Sequence, residues 1–189
     1  MRQGQDAPVR RDALRSRQAI LAAAREVFAA ASSAPMSEVA RRAGLGEATL
    51  YRHFPDRARL MAALADENLA VLERLATEHA GSPGAFEMLL SALVGDQTGS
   101  PELVLAIRNG SGRDEHADYG RRLRALLREP IRAAQAAGLL REDFTPEDAL
   151  LIGYMVDGVL ARAAQAGPAT GARVLDLVWR GIGHRLADG

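Results

Sequence analysis

Thr49, Tyr51, Arg52 and His53 fall within five consecutive residues and offer a hydroxyl, a phenol, a guanidinium and an imidazole. Together they mix hydrogen-bond donors with acceptors and carry positive charge, a set suited to the phosphates and base edges of a nucleic acid. Other chemistry is poorly provided for. With no cysteine in the chain, disulfides, thiolate zinc sites, iron–sulfur clusters and a cysteine nucleophile are excluded. The histidines His53, His79, His116 and His184 stand in neither His-x-x-x-His nor Glu-x-x-His spacing. There is no Gly-x-Ser-x-Gly elbow and no P-loop, and Gly44-x-Gly46 and Gly110-x-Gly112 lack the preceding strand that a nucleotide-binding turn needs. No enzyme, metal site or cofactor is expected.

Charge separates the chain into two parts. The formal net charge of the 189 residues is zero, yet residues 1–60 hold 11 Arg against 6 acidic residues and residues 61–189 hold 13 Arg against 18. There is no lysine, so every formal side-chain cation is a planar guanidinium. A basic N-terminal third on an acidic body suggests that one part meets a polyanion while the other stays off it. The length fits one domain, or one domain with a small appended module, and is ample for a core. The most apolar run, Ala149–Val156, stops at Asp157, well short of the roughly 20 residues of a membrane span. Arg15, Arg17, Arg25 and Glu26 interrupt any secretory h-region. The chain therefore reads as cytoplasmic, with no membrane partner.

Those side chains need helices to position them. Residues 1–11 are polar and contain Gly4 and Pro8, and they read as a flexible basic arm. From Asp12, a plausible N-cap, Ile20, Leu21, Ala24, Val27 and Phe28 recur at three- and four-residue spacing on one helical face. That helix gives way at Ser32–Pro35. A short helix over Met36–Ala43 follows, stopped by Gly44 in the left-handed region, and then a third over Glu47–His53. Asp56 caps a long helix from Arg57 toward Gly81. Further helices are marked by Phe86–Val94, by Glu102–Arg108, by Asp114–Ala137 with Pro130 inside, by a Thr145-capped segment through Val159, and by Val174–Leu186. No strand-like alternation occurs. The fold class expected is all-α, about nine helices, with a helix-turn-helix reading domain at 12–56 and a helical effector-binding and dimerisation domain at 57–189.

Two short helices joined by a glycine turn form the helix-turn-helix plan, in which the second helix enters the DNA major groove. Leu45, Leu50 and Phe54 anchor that helix and leave Thr49, Tyr51, Arg52 and His53 outward. The stretch Val39-Ala-Arg-Arg-Ala-Gly-Leu-Gly-Glu-Ala-Thr-Leu-Tyr-Arg-His-Phe-Pro-Asp-Arg57 closely resembles the DNA-binding signature of the tetracycline-repressor (TetR) family, and the resemblance spans about residues 13–65. It implies groove and phosphate contacts at Thr49, Tyr51 and His53, a small residue at Ala48 for close approach, and a phosphate held by Arg57. Arg15, Arg17, Arg41, Arg42 and Arg52 are further candidates, and double-stranded DNA is the implied partner. Three positions depart from the family pattern. Pro35 replaces a Ser or Thr cap. Gly46 stands where a capping hydroxyl often touches phosphate. Glu47 stands where Lys or Arg is common; its first role is with the helix dipole, and its second is accepting from cytosine N4.

The resemblance further implies a homodimer paired through the last two helices, reading a palindromic operator, and a small-molecule effector that releases it. Gly153, Gly158, Val178, Gly181 and Ile182 are the interface candidates, since helical glycines permit close approach. Asn109, Tyr119, Tyr154 and Asp157 carry polar tips on apolar faces and are the effector candidates, although a pair with Arg162 is the simpler account of Asp157. A regulator without a ligand, controlled by abundance or a protein partner, keeps the same reading domain. Repression is the reading preferred and activation the alternative, because the sign depends on where the operator lies.

Overall fold

In the computed structural model, which describes residues 6–31, 33–94, 113–162 and 169–182, the eight regular elements are α-helices. They are α1 (Asp6–Ala30), α2 (Met36–Arg42), α3 (Glu47–His53), α4 (Arg57–Glu78), α5 (Ala85–Val94), α6 (Arg113–Ala136), α7 (Pro146–Arg162) and α8 (Ala169–Ile182). The all-α class is as the periodicity predicts. The helix expected over Glu102–Arg108 and the break expected at 109–112 lie outside the described residues.

The apolar stripes close on two cores rather than one. Ile20, Ala24, Phe28, Val39, Leu50 and Phe54 from α1–α3 and the following turn pack with Leu60, Met61 and Leu64 of α4. Leu69 and Leu72, further along α4, pack instead with Phe86, Leu90, Leu123, Leu127, Ile131, Phe144 and Ile152. Val178 and Trp179 of α8 lean on this second cluster, and Trp179 meets Phe86 edge-on at 5.7 Å. The single helix α4 thus supplies both cores, and its first half belongs to the reading head.

Helix ends follow the local chemistry. The Asp56 carboxylate accepts from the Arg59 backbone N–H at 2.8 Å, the expected cap of α4. Thr145 and Asp148 cap α7 reciprocally: the Thr145 N–H donates to Asp148 Oδ2 at 2.8 Å, and the Asp148 N–H donates to Thr145 Oγ1 at 3.2 Å. The start of α1 differs from expectation. Its helix begins at Asp6, so residues 6–11 are not a free arm and Asp12 is not its cap. Pro8 stands in the first turn, where its missing N–H has no helical acceptor to lose. Asp12 lies 3.7 Å from Arg15 one turn on.

The α2–α3 turn depends on one backbone conformation. Gly44 has φ +68°, its N–H donates to the Arg41 carbonyl at 3.1 Å, and the Leu45 N–H reaches back to Ala40 O at 3.0 Å. This paired closure satisfies two orphan carbonyls of α2 and swings the chain directly into α3. No heavy atom lies within 4 Å of where a Cβ on Gly44 would stand, so substitution carries a conformational cost and no clash. Gly44→Ala should lower the unfolding free energy by about 1–2 kcal/mol, with Gly44→Asn costing less. Urea unfolding of the full chain measures both, and equal stability of all three proteins would show that the turn tolerates another backbone geometry.

Candidate nucleic-acid interface and effector cleft

Leu50 and Phe54 are buried and fasten α3 to α1 and α4, while Gly46, Glu47, Ala48, Tyr51 and Arg52 are exposed and Thr49 and His53 half-buried. Gly46 opens the helix in extended conformation with no side-chain cap, as its lack of a hydroxyl dictates. Tyr51 keeps 45 % of its surface exposed. The Arg52 guanidinium folds back to donate to Thr49 Oγ1 at 3.1 Å, so two of the reading side chains hold each other in place. The outer face of α3 thus presents a phenol, a hydroxyl, a guanidinium, an imidazole and one carboxylate.

The flanking arginines are largely engaged within the chain. Arg41 donates through Nε to Glu38 at 2.9 Å, and its guanidinium holds the Glu38 carboxyl below the usual carboxylate range. Arg42 on α2 pairs with Glu26 on α1, and Arg25 on α1 with Glu67 on α4. The Arg17 guanidinium lies 4.7 Å from the centre of the Phe54 ring, closing the end of α3 against α1. Pairs this open to solvent are weak.

Arg57, where the family resemblance implies a phosphate contact, is engaged within the chain. Its guanidinium stacks 4.2 Å above the Phe28 ring and donates through Nη1 to the Ala34 carbonyl at 2.6 Å, and burial pulls its pKa below the usual guanidinium value. The side chain ties the start of α4 to α1 and to the segment entering α2. In this geometry it positions the head.

Two effector candidates come together, and the other two lie outside the described side chains. Tyr119 of α6 and Tyr154 of α7 line one narrow cleft of about 30 Å³ with Leu93, Leu123, Leu150 and Gly153. The Tyr119 hydroxyl donates to Asn68 Oδ1 of α4 at 3.1 Å. Asn109 lies outside the described residues, and Asp157 is within α7 at a position whose side chain is not described. The interface candidates also separate. Gly153 is buried, and a Cβ there would make an ordinary van der Waals contact, 3.8 Å, with Leu93 of α5 in its own chain. Val178 likewise leans on the body core, whereas Gly181 faces open space. Gly158 and Ile182 lie in α7 and α8, beyond the side chains described.

Sequence reasoning passed over two features. Leu151 and Met155 of α7 and Leu177 of α8 are more than half exposed, an apolar face announced by the i, i+4 pair 151/155. Asn68 is buried between Leu64 and Leu72 on α4, and its signal was a polar residue interrupting that four-residue spacing. Among the described residues no helix is long and apolar enough to cross a membrane, and no cluster of side chains suits a metal ion.

Comparison with known proteins places this geometry. A family model described as bacterial regulatory proteins, tetR family, matches residues 20–64. A TetR transcription regulatory protein from Mycobacterium vanbaalenii is 28 % identical, with a TM-score of 0.62 over 93 % of this chain and 99 % of that one. A TetR transcriptional regulator from Streptomyces coelicolor is also 28 % identical, with a TM-score of 0.60 over 89 % and 99 %. The fold is shared too by NalD, the secondary repressor of the MexAB-OprM multidrug efflux pump in Pseudomonas aeruginosa, at 17 % identity and a TM-score of 0.61 over 93 % and 100 %. None of the curated protein sequences matches the chain.

The stacked, hydrogen-bonded position of Arg57 predicts a stability effect. Arg57→Ala should destabilise the full chain by about 1–3 kcal/mol, because it strips a ring of its cation and leaves a part-buried carbonyl without its donor. Arg57→Lys should recover only part of this, since an ammonium lacks the flat stacking face. Thermal unfolding reads both; unchanged melting together with lost DNA affinity would return Arg57 to the phosphate contacts.

Proposed function

We propose that this chain, whose residues 20–64 match the tetR family of bacterial regulatory proteins, is a DNA-binding transcriptional regulator that acts as a homodimeric repressor released from a palindromic operator by a small-molecule effector. The observation that carries the reading is the outer face of α3, where Tyr51 and Arg52 are exposed and Thr49 and His53 half-buried on a helix anchored by Leu50 and Phe54. Those four side chains, with Glu47 at the helix start, read base edges. Ala48 lets the backbone come close. The arginines Arg15, Arg41 and Arg42 exchange carboxylates for phosphates, which sets affinity and register.

A second copy supplies the other reading head. Leu151, Met155 and Leu177 expose apolar surface on α7 and α8, and pairing these helices across a two-fold axis would cover it. Two α3 helices then enter successive major grooves, about 34–36 Å apart or one helical turn. The effector occupies the cleft of Tyr119 and Tyr154, which must widen to admit it, and the dimer acts on chromosomal DNA in the cytoplasm. A cavity of about 30 Å³ also suits the alternative, a regulator that takes no ligand.

Selection from a pool of random duplexes, at two salt concentrations, tests the proposal. The expected result is a palindrome whose affinity falls steeply as salt rises; binding without sequence preference would contradict it. On the recovered site, Tyr51→Ala should weaken binding about tenfold or more, the scale of one good base contact, and leave the melting temperature unchanged. Leu151→Glu with Met155→Glu should sediment as a monomer and lose the palindrome, and an unaltered dimer would move the interface elsewhere.

A further inference from the structure

Asn68 is the one buried polar or charged side chain among the described residues, 8 % exposed in an otherwise apolar stripe of α4. It sits at the seam of the two cores. Leu60, Met61, Leu64 and Ala65 before it belong to the head, and Leu69 and Leu72 after it belong to the body. Tyr119, whose hydroxyl donates to it at 3.1 Å, is packed against both cores and also lines the cleft shared with Tyr154. One aromatic ring therefore touches the head, the body and the cleft.

The same two helices are fastened on the outside by Arg122, which donates to Asp66 at 2.7 Å and to Glu73 at 3.3 Å. These carboxylates are solvent-facing, so water can take over their bonds and the fastening sets no single position. The buried bond is different. A buried amide that loses its partner retains the full cost of its desolvation, and that cost falls only if the helix shifts to admit water. Any shift of α4 carries Leu60–Ala65 with it, and with them the head that packs there.

We infer that the Tyr119–Asn68 hydrogen bond is the latch that holds the reading head at one angle to the body, and that occupation of the cleft works by drawing Tyr119 off Asn68. Tyr119 is thus a positioning residue for DNA recognition, acting through α4. The inference rests on the palindrome-reading dimer proposed above and names the contact by which that dimer is regulated. Its chemistry also constrains the cleft's occupant: a largely apolar molecule with one acceptor able to take the phenol's hydrogen bond in place of Asn68.

The test uses the full chain and the duplex selected by it, together with versions of that duplex carrying one base pair more or fewer at the centre. Affinities for the three duplexes are compared for the wild type, for Tyr119→Phe, and for Tyr119→Phe combined with Asn68→Leu, with thermal melting of each as the control for folding. The wild type should prefer the selected spacing about tenfold, the scale set by one buried polar group losing its partner. Tyr119→Phe should bind all three nearly alike while remaining folded. The double variant should regain the preference, since two apolar partners need no bond. A merely structural bond would lower melting and leave spacing preference intact, so a Tyr119→Phe protein that discriminates like the wild type overturns the latch, as does a double variant no better than the single. A wild type that selects no spacing would overturn the palindrome reading itself, and the latch with it.

Discussion

A helix that contributes to two hydrophobic cores cannot move in one without disturbing the other. α4 spans 22 residues, about 33 Å at 1.5 Å per residue, and its buried side chains pass from the head core to the body core within two turns. Leu64 and Ala65 pack with Phe28 and Leu50, and Leu69 and Leu72 pack with Phe86 and Leu90. Because protein interiors are close-packed and yield by discrete rearrangement, the position of α3 is tied to the state of the body. The remaining contacts at the junction serve this tie. Asp56 starts the helix, Arg57 pins its first turn to α1 and to the Ala34 carbonyl, and Arg25 joins α1 to Glu67.

The electrostatics of the head are milder than its composition implies. Its excess of arginine is real, yet Arg41, Arg42 and Arg25 are matched to Glu38, Glu26 and Glu67, and Arg17 and Arg57 lie over aromatic rings. Binding DNA is then an exchange of carboxylate for phosphate as much as the capture of anions by bare cations. In the proposed complex such an exchange would weaken sequence-blind attraction and leave more of the selectivity to Thr49, Tyr51, Arg52 and His53. Glu47, exposed at the start of α3, acts in the same sense by repelling phosphate while remaining able to accept from a base.

Most of the fold was legible because helices announce themselves through spacing, glycine and caps. Gly44, Asp56 and Thr145 each occupy the end that their chemistry predicts. The α1 boundary was misread because Pro8 resembles a break, although a proline in a first helical turn forfeits nothing. The role of Arg57 was hidden for another reason. The family motif records a basic residue at that place, but only tertiary structure shows Phe28 beneath it and Ala34 O within reach. The type of Gly153 and Val178 suggests a partner copy, and within the chain Gly153 is buried and Val178 half-buried, while Leu151, Met155 and Leu177 are exposed. Asn68 was visible as a break in an apolar stripe, yet its significance needed Tyr119, 51 positions away in the chain.

The central claim is that two copies of α3 read successive major grooves on one face of the duplex. Hydroxyl-radical footprinting of the full chain on its selected site tests this most directly. The account predicts two protected patches on one face, symmetric about the centre of the palindrome and about 10 base pairs apart, both lost in Tyr51→Ala at the same protein concentration. A single patch, or even protection along the whole duplex, would contradict it.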